Sequence, residues 1–256
     1  MSTTSRKRRA SPEKSRPSVW WLLAAIIVPI VGLIARIEIE GEENLPEEGS
    51  YVVAPNHMSE IDPLIVAVAV WRIGRAPRFL AKESLFRVPV LGWALRVTGM
   101  VPVARESTAA AASSTVASAR RLVASGHGVI VYPEGTLTRD PDLWPMRGKT
   151  GAARLALAGD IPLIPVAHWG SQRILPRYGK LSLWPPRKRV RIVFGPALDL
   201  SAHIGHGKEQ STLVAVTAAV MQGITSLEET LRGEKAPAER WNPSAHGQKE
   251  TGRLDS

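Results

Sequence analysis

Tyr51-Val52-Val53-Ala54-Pro55 runs straight into Asn56-His57-Met58-Ser59-Glu60-Ile61-Asp62-Pro63, and the reading of that join decides the fold. The first five residues are an apolar run of strand length. The apolar stretch from Leu64 to Trp71 reads as a helix. Asp62 followed by Pro63 fits an N-cap with proline at the first helical position. The join is therefore strand, loop, helix. His57 and Asp62 stand five residues apart; on a continuous helix their side chains would diverge by about 140°, but across such a loop they can meet. The helix dipole favours an ionised Asp62, which can hold one imidazole nitrogen while the other is offered to a substrate. The same residues also fit a plain turn in which the aspartate only caps the helix.

Outward from this join the chain alternates. Strands are expected at Ile37–Glu40, Tyr51–Ala54, Arg78–Ala81, Met100–Ala104, Gly128–Tyr132, Leu163–Ala167 and Val190–Phe194. Helices are expected at Leu64–Trp71, Val90–Arg96, Ser107–Ala124 and Gly148–Ala158, with a last amphipathic helix over Thr212–Leu231. That order predicts an α/β fold, a mixed, largely parallel sheet flanked by helices. No internal repeat is present.

The composition is that of a globular chain: 256 residues, 44% hydrophobic and 22% charged. That length suits one domain with appendages. Cysteine is absent, which excludes disulfides, thiolate metal sites and a cysteine nucleophile. The net charge of +10 favours anionic partners. No recognition-helix, zinc-finger or RNA-binding signature accompanies it, so nucleic acid is not the expected partner.

Residues 1–18 are rich in Ser, Arg, Lys and Pro and read as a disordered basic arm. Residues 19–35 carry no charge and start with Trp20 and Trp21, residues suited to a membrane interface. At about 1.5 Å per residue this run reaches about 25 Å, short of the ~30 Å hydrocarbon core, and Pro29 lies within it. It reads as an N-terminal membrane-anchoring helical segment, spanning or re-entrant, since it has no polar face of the kind a buried amphipathic helix shows. A re-entrant anchor leaves the domain on the cytoplasmic face of the plasma membrane, with the basic arm against anionic lipid. A single span puts the domain outside. Residues 36–232 form the main domain, and 233–256 read as a polar, disordered tail.

Further blocks sharpen the reading. Lys82-Glu83-Ser84-Leu85 leads through Pro89 and Gly92 to Gly99-Met100-Val101-Pro102-Val103-Ala104-Arg105. Gly128-Val129-Ile130-Val131-Tyr132-Pro133-Glu134-Gly135-Thr136 is an apolar run ending in an acidic turn, and Ile161-Pro162-Leu163-Ile164-Pro165-Val166 follows. With Asn56-His57 and Asp62, these blocks resemble the glycerophospholipid acyltransferase family, in family order, over roughly residues 36–200.

The resemblance implies an enzyme that moves a fatty acyl group from acyl-CoA or an acyl carrier protein thioester to lysophosphatidic acid, making phosphatidic acid. Glycerol 3-phosphate or another lysolipid is the alternative acceptor, and a non-catalytic membrane-anchored lipid-binding protein is the alternative class. No cofactor and no metal are expected; membrane lipid and the thioester carrier are the expected partners. His57 is implied as the base and Asp62 as its orienter, with direct attack and no acyl-enzyme, which agrees with the absence of cysteine and of a Gly-x-Ser-x-Gly elbow. Glu134, Gly135 and Thr136 are implied in acceptor binding. Arg105, Lys82 and Lys149 are implied in holding the phosphate, Arg105 foremost because a planar guanidinium matches phosphate best.

The family's arginine after Glu-Gly-Thr is Leu137 here, so Arg139 either substitutes for it or the contact is missing. Tyr132 stands where the family has phenylalanine. Gly148-Lys149-Thr150 resembles the end of a phosphate loop, but Leu143 occupies the position that motif needs as glycine. His127 and His168 belong to no metal-ligating pattern and read as surface or core histidines. The apolar stretch around Phe86 and Trp93 reads as acyl-chain lining, bilayer contact or core.

Overall fold

A computed structural model describes residues 10–103, 109–203, 205–207 and 209–249. Among these, the helices are α1 (Pro12–Ser15), α2 (Val19–Ile34), α3 (Asp62–Ile73), α4 (Pro89–Val97), α5 (Ala109–Ala124), α6 (Gly151–Gly159) and α7 (Gln210–Arg232). The strands are β1 (Ala35–Glu40), β2 (Tyr51–Pro55), β3 (Leu80–Lys82), β4 (Val101–Val103), β5 (Gly128–Ile130), β6 (Leu163–Trp169) and β7 (Lys188–Phe194). Each expected strand and helix has its counterpart, shifted by a few residues at the ends.

The main sheet runs β1-β7-β6-β2-β5. Neighbours are parallel except β6 and β7, so the sheet is mixed and largely parallel. A smaller parallel pair, β3-β4, is tied to it by a bridge between Phe79 and Ile130. Every residue of β2 is buried because both faces of the sheet are covered. Side chains alternate across a strand, so Tyr51 and Val53 join Ile65, Val66 and Ala69 of α3 on one face. Val52 and Ala54 join Leu155 of α6 and Leu213, Val216 and Val220 of α7 on the other.

Tyr51 lies directly across from Gly128 in the β2–β5 register, and its ring occupies the space a β-carbon there would need, 1.9 Å away. Only glycine fits opposite this tyrosine.

The hydrophobic segment is more than an appendage. α2 packs its Val31 into the core beside α3, and Trp20 closes against Trp71 and Ala76. Lys14 Nζ donates to the Trp71 carbonyl at 2.5 Å and lies over that indole. The opposite side of α2 leaves Ile26, Ile30 and Leu33 exposed. No helix of the described residues is long and apolar enough to cross a membrane.

The tail expected to be disordered instead docks over its described part. Arg147 N donates to the Trp241 carbonyl at 3.0 Å, and Trp241 stacks on His246. Trp241 and the turn at the buried Pro243 supply the apolar contact that a purely polar tail would lack.

Candidate active site

β2 ends at Pro55, and the next residues form the site. Asn56 N continues the ladder to the Val166 carbonyl. The Asn56 side chain then clamps the end of β6: its Oδ1 accepts from His168 N at 2.9 Å, and its Nδ2 donates to the His168 carbonyl at 3.1 Å. Nδ2 also donates to Glu228 Oε2 of α7 at 2.8 Å. The loop carrying His57 thus starts from a point fixed to two strands and a helix.

Asp62 is the first residue of α3, flanked by Ile61, rather than the cap outside it, and its carboxylate does not cap the helix. It turns back into the loop, where Oδ2 accepts from Met58 N and Ser59 N, both at 2.7 Å, and meets His57 Nδ1 at 3.0 Å. These two backward-facing amides, and not the helix terminus, supply the backbone donors to the carboxylate. Burial alone would raise the Asp62 carboxyl, but the His168 and His57 imidazoles beside it reverse that, and it sits below its ordinary value. An ionised Asp62 accepts the hydrogen bond of His57 Nδ1–H, which leaves Nε2 as the nitrogen that can accept a proton.

The ring of His57 is packed as well as tethered. Tyr132 lies against it with centroids 4.2 Å apart, and Phe79 stacks on the far side of Tyr132 at 6.4 Å. Its side chain keeps 16% exposure, while that of Asp62 has none. Thr138 N donates to the His57 carbonyl at 2.6 Å. The arrangement backs the partly exposed His57 ring with the fully buried Asp62.

Glu134, expected to touch the acceptor, is fully buried. Its Oε1 accepts from His57 N at 2.9 Å and its Oε2 from Met146 N at 3.0 Å. Burial pushes its carboxyl up to about 8, against the pull of those two amides. Arg139 is also turned inward, at 2% exposure. Gly135, by contrast, is exposed and Thr136 half-buried. A β-carbon at Gly135 would lie 3.2 Å from Lys149 Cδ and 3.4 Å from Nζ, so the Lys149 chain passes directly over this turn. Gly135 has a φ of 71°, the left-handed region that favours glycine. Lys82 ends β3, and Arg105 lies outside the described residues.

His168, read in the sequence as a core or surface histidine, is a buried neighbour of the dyad. Its Nε2 lies 3.0 Å from the Asn56 carbonyl and 3.8 Å from Asp62 Oδ2. Burial lowers its ring from the ordinary histidine value, against the opposing pull of Asp62. Asn56, His168 and Glu228 are the supporting residues that local pattern did not reveal; only the apolar strand carrying His168 hinted that this histidine points inward. Among the described residues, no group of three or more His, Cys, Asp or Glu could hold a metal ion.

A histidine–aspartate pair thus stands at a strand-to-helix loop, with an acidic turn fixed behind it. A family model, Acyltransferase, matches residues 36–169, and the chain belongs to that family. A 1-acyl-sn-glycerol-3-phosphate acyltransferase of Borreliella burgdorferi is 31% identical over 179 residues, 70% of this chain and 68% of that one. One of Bacillus subtilis is 28% identical, over 79% of this chain and 93% of the other. A chloroplastic enzyme of the same name from Brassica napus is 31% identical, but the match spans only 39% of its length. Among solved structures, the 1-acyl-sn-glycerophosphate acyltransferase PlsC of Thermotoga maritima superposes with a TM-score of 0.63 at 22% identity, covering 91% of this chain and 85% of that one.

Proposed function

We propose that the chain transfers a fatty acyl group from an acyl thioester to the free hydroxyl of lysophosphatidic acid, giving phosphatidic acid. The observation that carries this reading is the 3.0 Å contact between His57 Nδ1 and a buried Asp62. His57 Nε2 takes the acceptor's hydroxyl proton as that oxygen bonds to the thioester carbonyl carbon. The tetrahedral intermediate then collapses, the carbon–sulfur bond breaks, and the leaving thiolate takes the proton back from the imidazolium. The names of the relatives support lysophosphatidic acid as the acceptor.

Gly135, Thr136 and Lys149 form the exposed side of the acidic turn and bind the acceptor phosphate together with Arg105 and Lys82. Glu134 works from behind them, by fixing the backbone of His57. Arg139 supports the turn from inside. The exposed side of α2 enters one leaflet from the cytoplasmic side, where thioester donors are available.

The test is an acceptor panel with one acyl-CoA: lysophosphatidic acid, glycerol 3-phosphate and two other lysolipids, with product identified by mass. Lysophosphatidic acid is expected to lead in kcat/KM. Transfer to none of them sinks the reading; preference for another acceptor moves it within the class. Arg105→Ala is expected to lower kcat/KM for the acceptor by a factor corresponding to about 1.5–3 kcal/mol, with the donor's KM little changed.

A further inference from the structure

The segment Lys180-Leu181-Ser182-Leu183-Trp184-Pro185-Pro186-Arg187 plays no part in the chemistry above, and it holds large apolar side chains in water. Trp184 is 83% exposed, and Leu181 and Leu183 are 54% exposed each. This is not a slack loop. Ser182 N donates to the Ile174 carbonyl at 2.7 Å. Lys188 Nζ donates to the Arg173 carbonyl at 2.7 Å, to the Ser182 carbonyl at 2.8 Å and to Ser182 Oγ at 2.6 Å. The base of the loop is clamped, and the clamp holds the indole and both leucines outward.

The loop also adjoins the other exposed apolar surface. Arg187 N donates to the Leu33 carbonyl at the end of α2, and Leu33 is 69% exposed. Ile30 and Ile26 continue that surface along the helix. Lys180 and Arg187, both exposed, bracket the apolar tip. Tryptophan with leucines, rimmed by cations, matches the chemistry of a bilayer's interfacial zone with anionic headgroups. A patch of this size on a folded surface calls for a partner.

We propose that the Leu181–Trp184 loop is a second membrane-inserting element, which enters an anionic lipid surface together with the exposed side of α2. Two insertion points fix an orientation, which one short helix alone cannot. The same segment reaches the catalytic loop at its other end. Ser59 Oγ donates to the Leu175 carbonyl at 2.5 Å, and Tyr178 N donates to Glu60 Oε1 at 3.3 Å. Six residues lead from Tyr178 to Trp184, a reach of at most about 20 Å. The insertion point therefore lies within a lipid's length of the His57 loop. The inference rests on the membrane attachment proposed for α2 and not on the identity of the acceptor.

Because the chain has no cysteine, single cysteines can carry an environment-sensitive fluorophore. Trp184→Cys reads the loop, Ile26→Cys reads α2, and Gln222→Cys reads an exposed position of α7 on the other face of the sheet. Each labelled protein is mixed with phosphatidylglycerol–phosphatidylcholine vesicles and checked for co-flotation. The labels at 184 and 26 are expected to shift to the blue and to be quenched by bilayer-embedded quenchers, while the label at 222 stays as in water. A 184 label that remains aqueous on floated protein overturns the proposal even if the 26 label inserts. A protein that does not float overturns both. As a second arm, Leu183→Ser with Trp184→Ser should lower vesicle partitioning at least about tenfold, with an unchanged unfolding temperature as the control for folding. Unaltered partitioning by that double variant also overturns it.

Discussion

The backbone N–H of His57 donates to Glu134 Oε1 at 2.9 Å across a sequence separation of 77 residues. The glutamate of the acidic turn thus reaches the His57 loop through the main chain. Met146 N holds the other oxygen, so the carboxylate joins the His57 loop to the segment after the turn. Glu134→Gln keeps one acceptor but sets an amide donor against the other N–H. A buried donor left unsatisfied costs about 1–3 kcal/mol, so kcat is expected to fall about tenfold or more while the acceptor's KM moves little. Steady-state kinetics decide it: a rise confined to acceptor KM would return Glu134 to direct substrate contact.

Removing the proposed base, His57, should have a larger effect. His57→Ala should lower kcat by about 10²–10⁴-fold, with a small change in unfolding temperature, since the ring packs on Tyr132 from a loop and Asp62 keeps its two backbone donors when the imidazole is gone. Asp62→Asn should approach the same loss, because the amide cannot serve both backbone donors and the ring in the same way. Retention of most of the turnover by His57→Ala would falsify the mechanism.

Tyr132→Phe probes a different cost. The Tyr132 hydroxyl is buried with no hydrogen-bond partner, and burial first, with Asp62 adding to it, raises its ionisation well above the ordinary value. A neutral, unpaired hydroxyl in an apolar setting is unfavourable by about 1–3 kcal/mol. The phenylalanine variant should therefore unfold at an equal or higher temperature while the stacking on His57 survives. A drop in kcat without a drop in stability would instead give the hydroxyl a role in the reaction.

Stability should depend on pH in a defined direction. Burial raises Glu134 and Glu228 from 4.5 to about 8 each. Between those values the folded chain keeps protons that the unfolded chain has released. The unfolding free energy therefore falls as pH rises through that window and levels off above it. Asp62 acts oppositely, since its lowered carboxyl loses its contribution only as pH drops below the usual carboxylate range. Glu228→Gln removes one of the two raised groups, though Arg232, 3.3 Å away, loses its counter-charge. Melting curves between about pH 5 and pH 8 should show a shallower slope for the variant; an identical slope would place these carboxylates outside the linkage.

Gly128→Ala tests the packing beneath the site. Its methyl would overlap the Tyr51 ring across the β2–β5 pair. Overpacking of this kind costs about 1–3 kcal/mol, or several degrees of melting temperature for a chain of this size. Tyr51→Phe in the same background should not recover it, because the ring and not the hydroxyl fills the space. Recovery would point to the hydroxyl instead.

The strands and helices were legible because their signals are local. β2 is a five-residue apolar run, and α7 repeats apolar residues at helical spacing. The His57–Asp62 pair was legible for the same reason, both residues lying on one loop. The position of the Asp62 carboxylate was not: an aspartate before proline reads as a cap, and only the folded loop shows the Met58 and Ser59 amides drawing it backward. Asn56 and Glu228 meet across 172 residues, with no periodicity linking them. Glu134 was expected to face the acceptor, as the exposed Gly135 beside it can. The inward turn of a single carboxylate within an exposed motif depends on Met146 and His57 offering their amides, which no spacing within the motif encodes.

Among the described residues, β1 is hydrogen-bonded to β7 alone, and β7 begins at Lys188, past the last residue of the stretch that marks the family. Asn56 likewise depends on Glu228 from α7. A fragment cut at Trp169 would carry an orphan edge strand, a bare sheet face where α7 had lain, and a catalytic loop missing one of its moorings. The stretch that identifies the protein is thus shorter than the stretch that can fold. Recombination between relatives would have to exchange everything through Arg232 to hand over a working module.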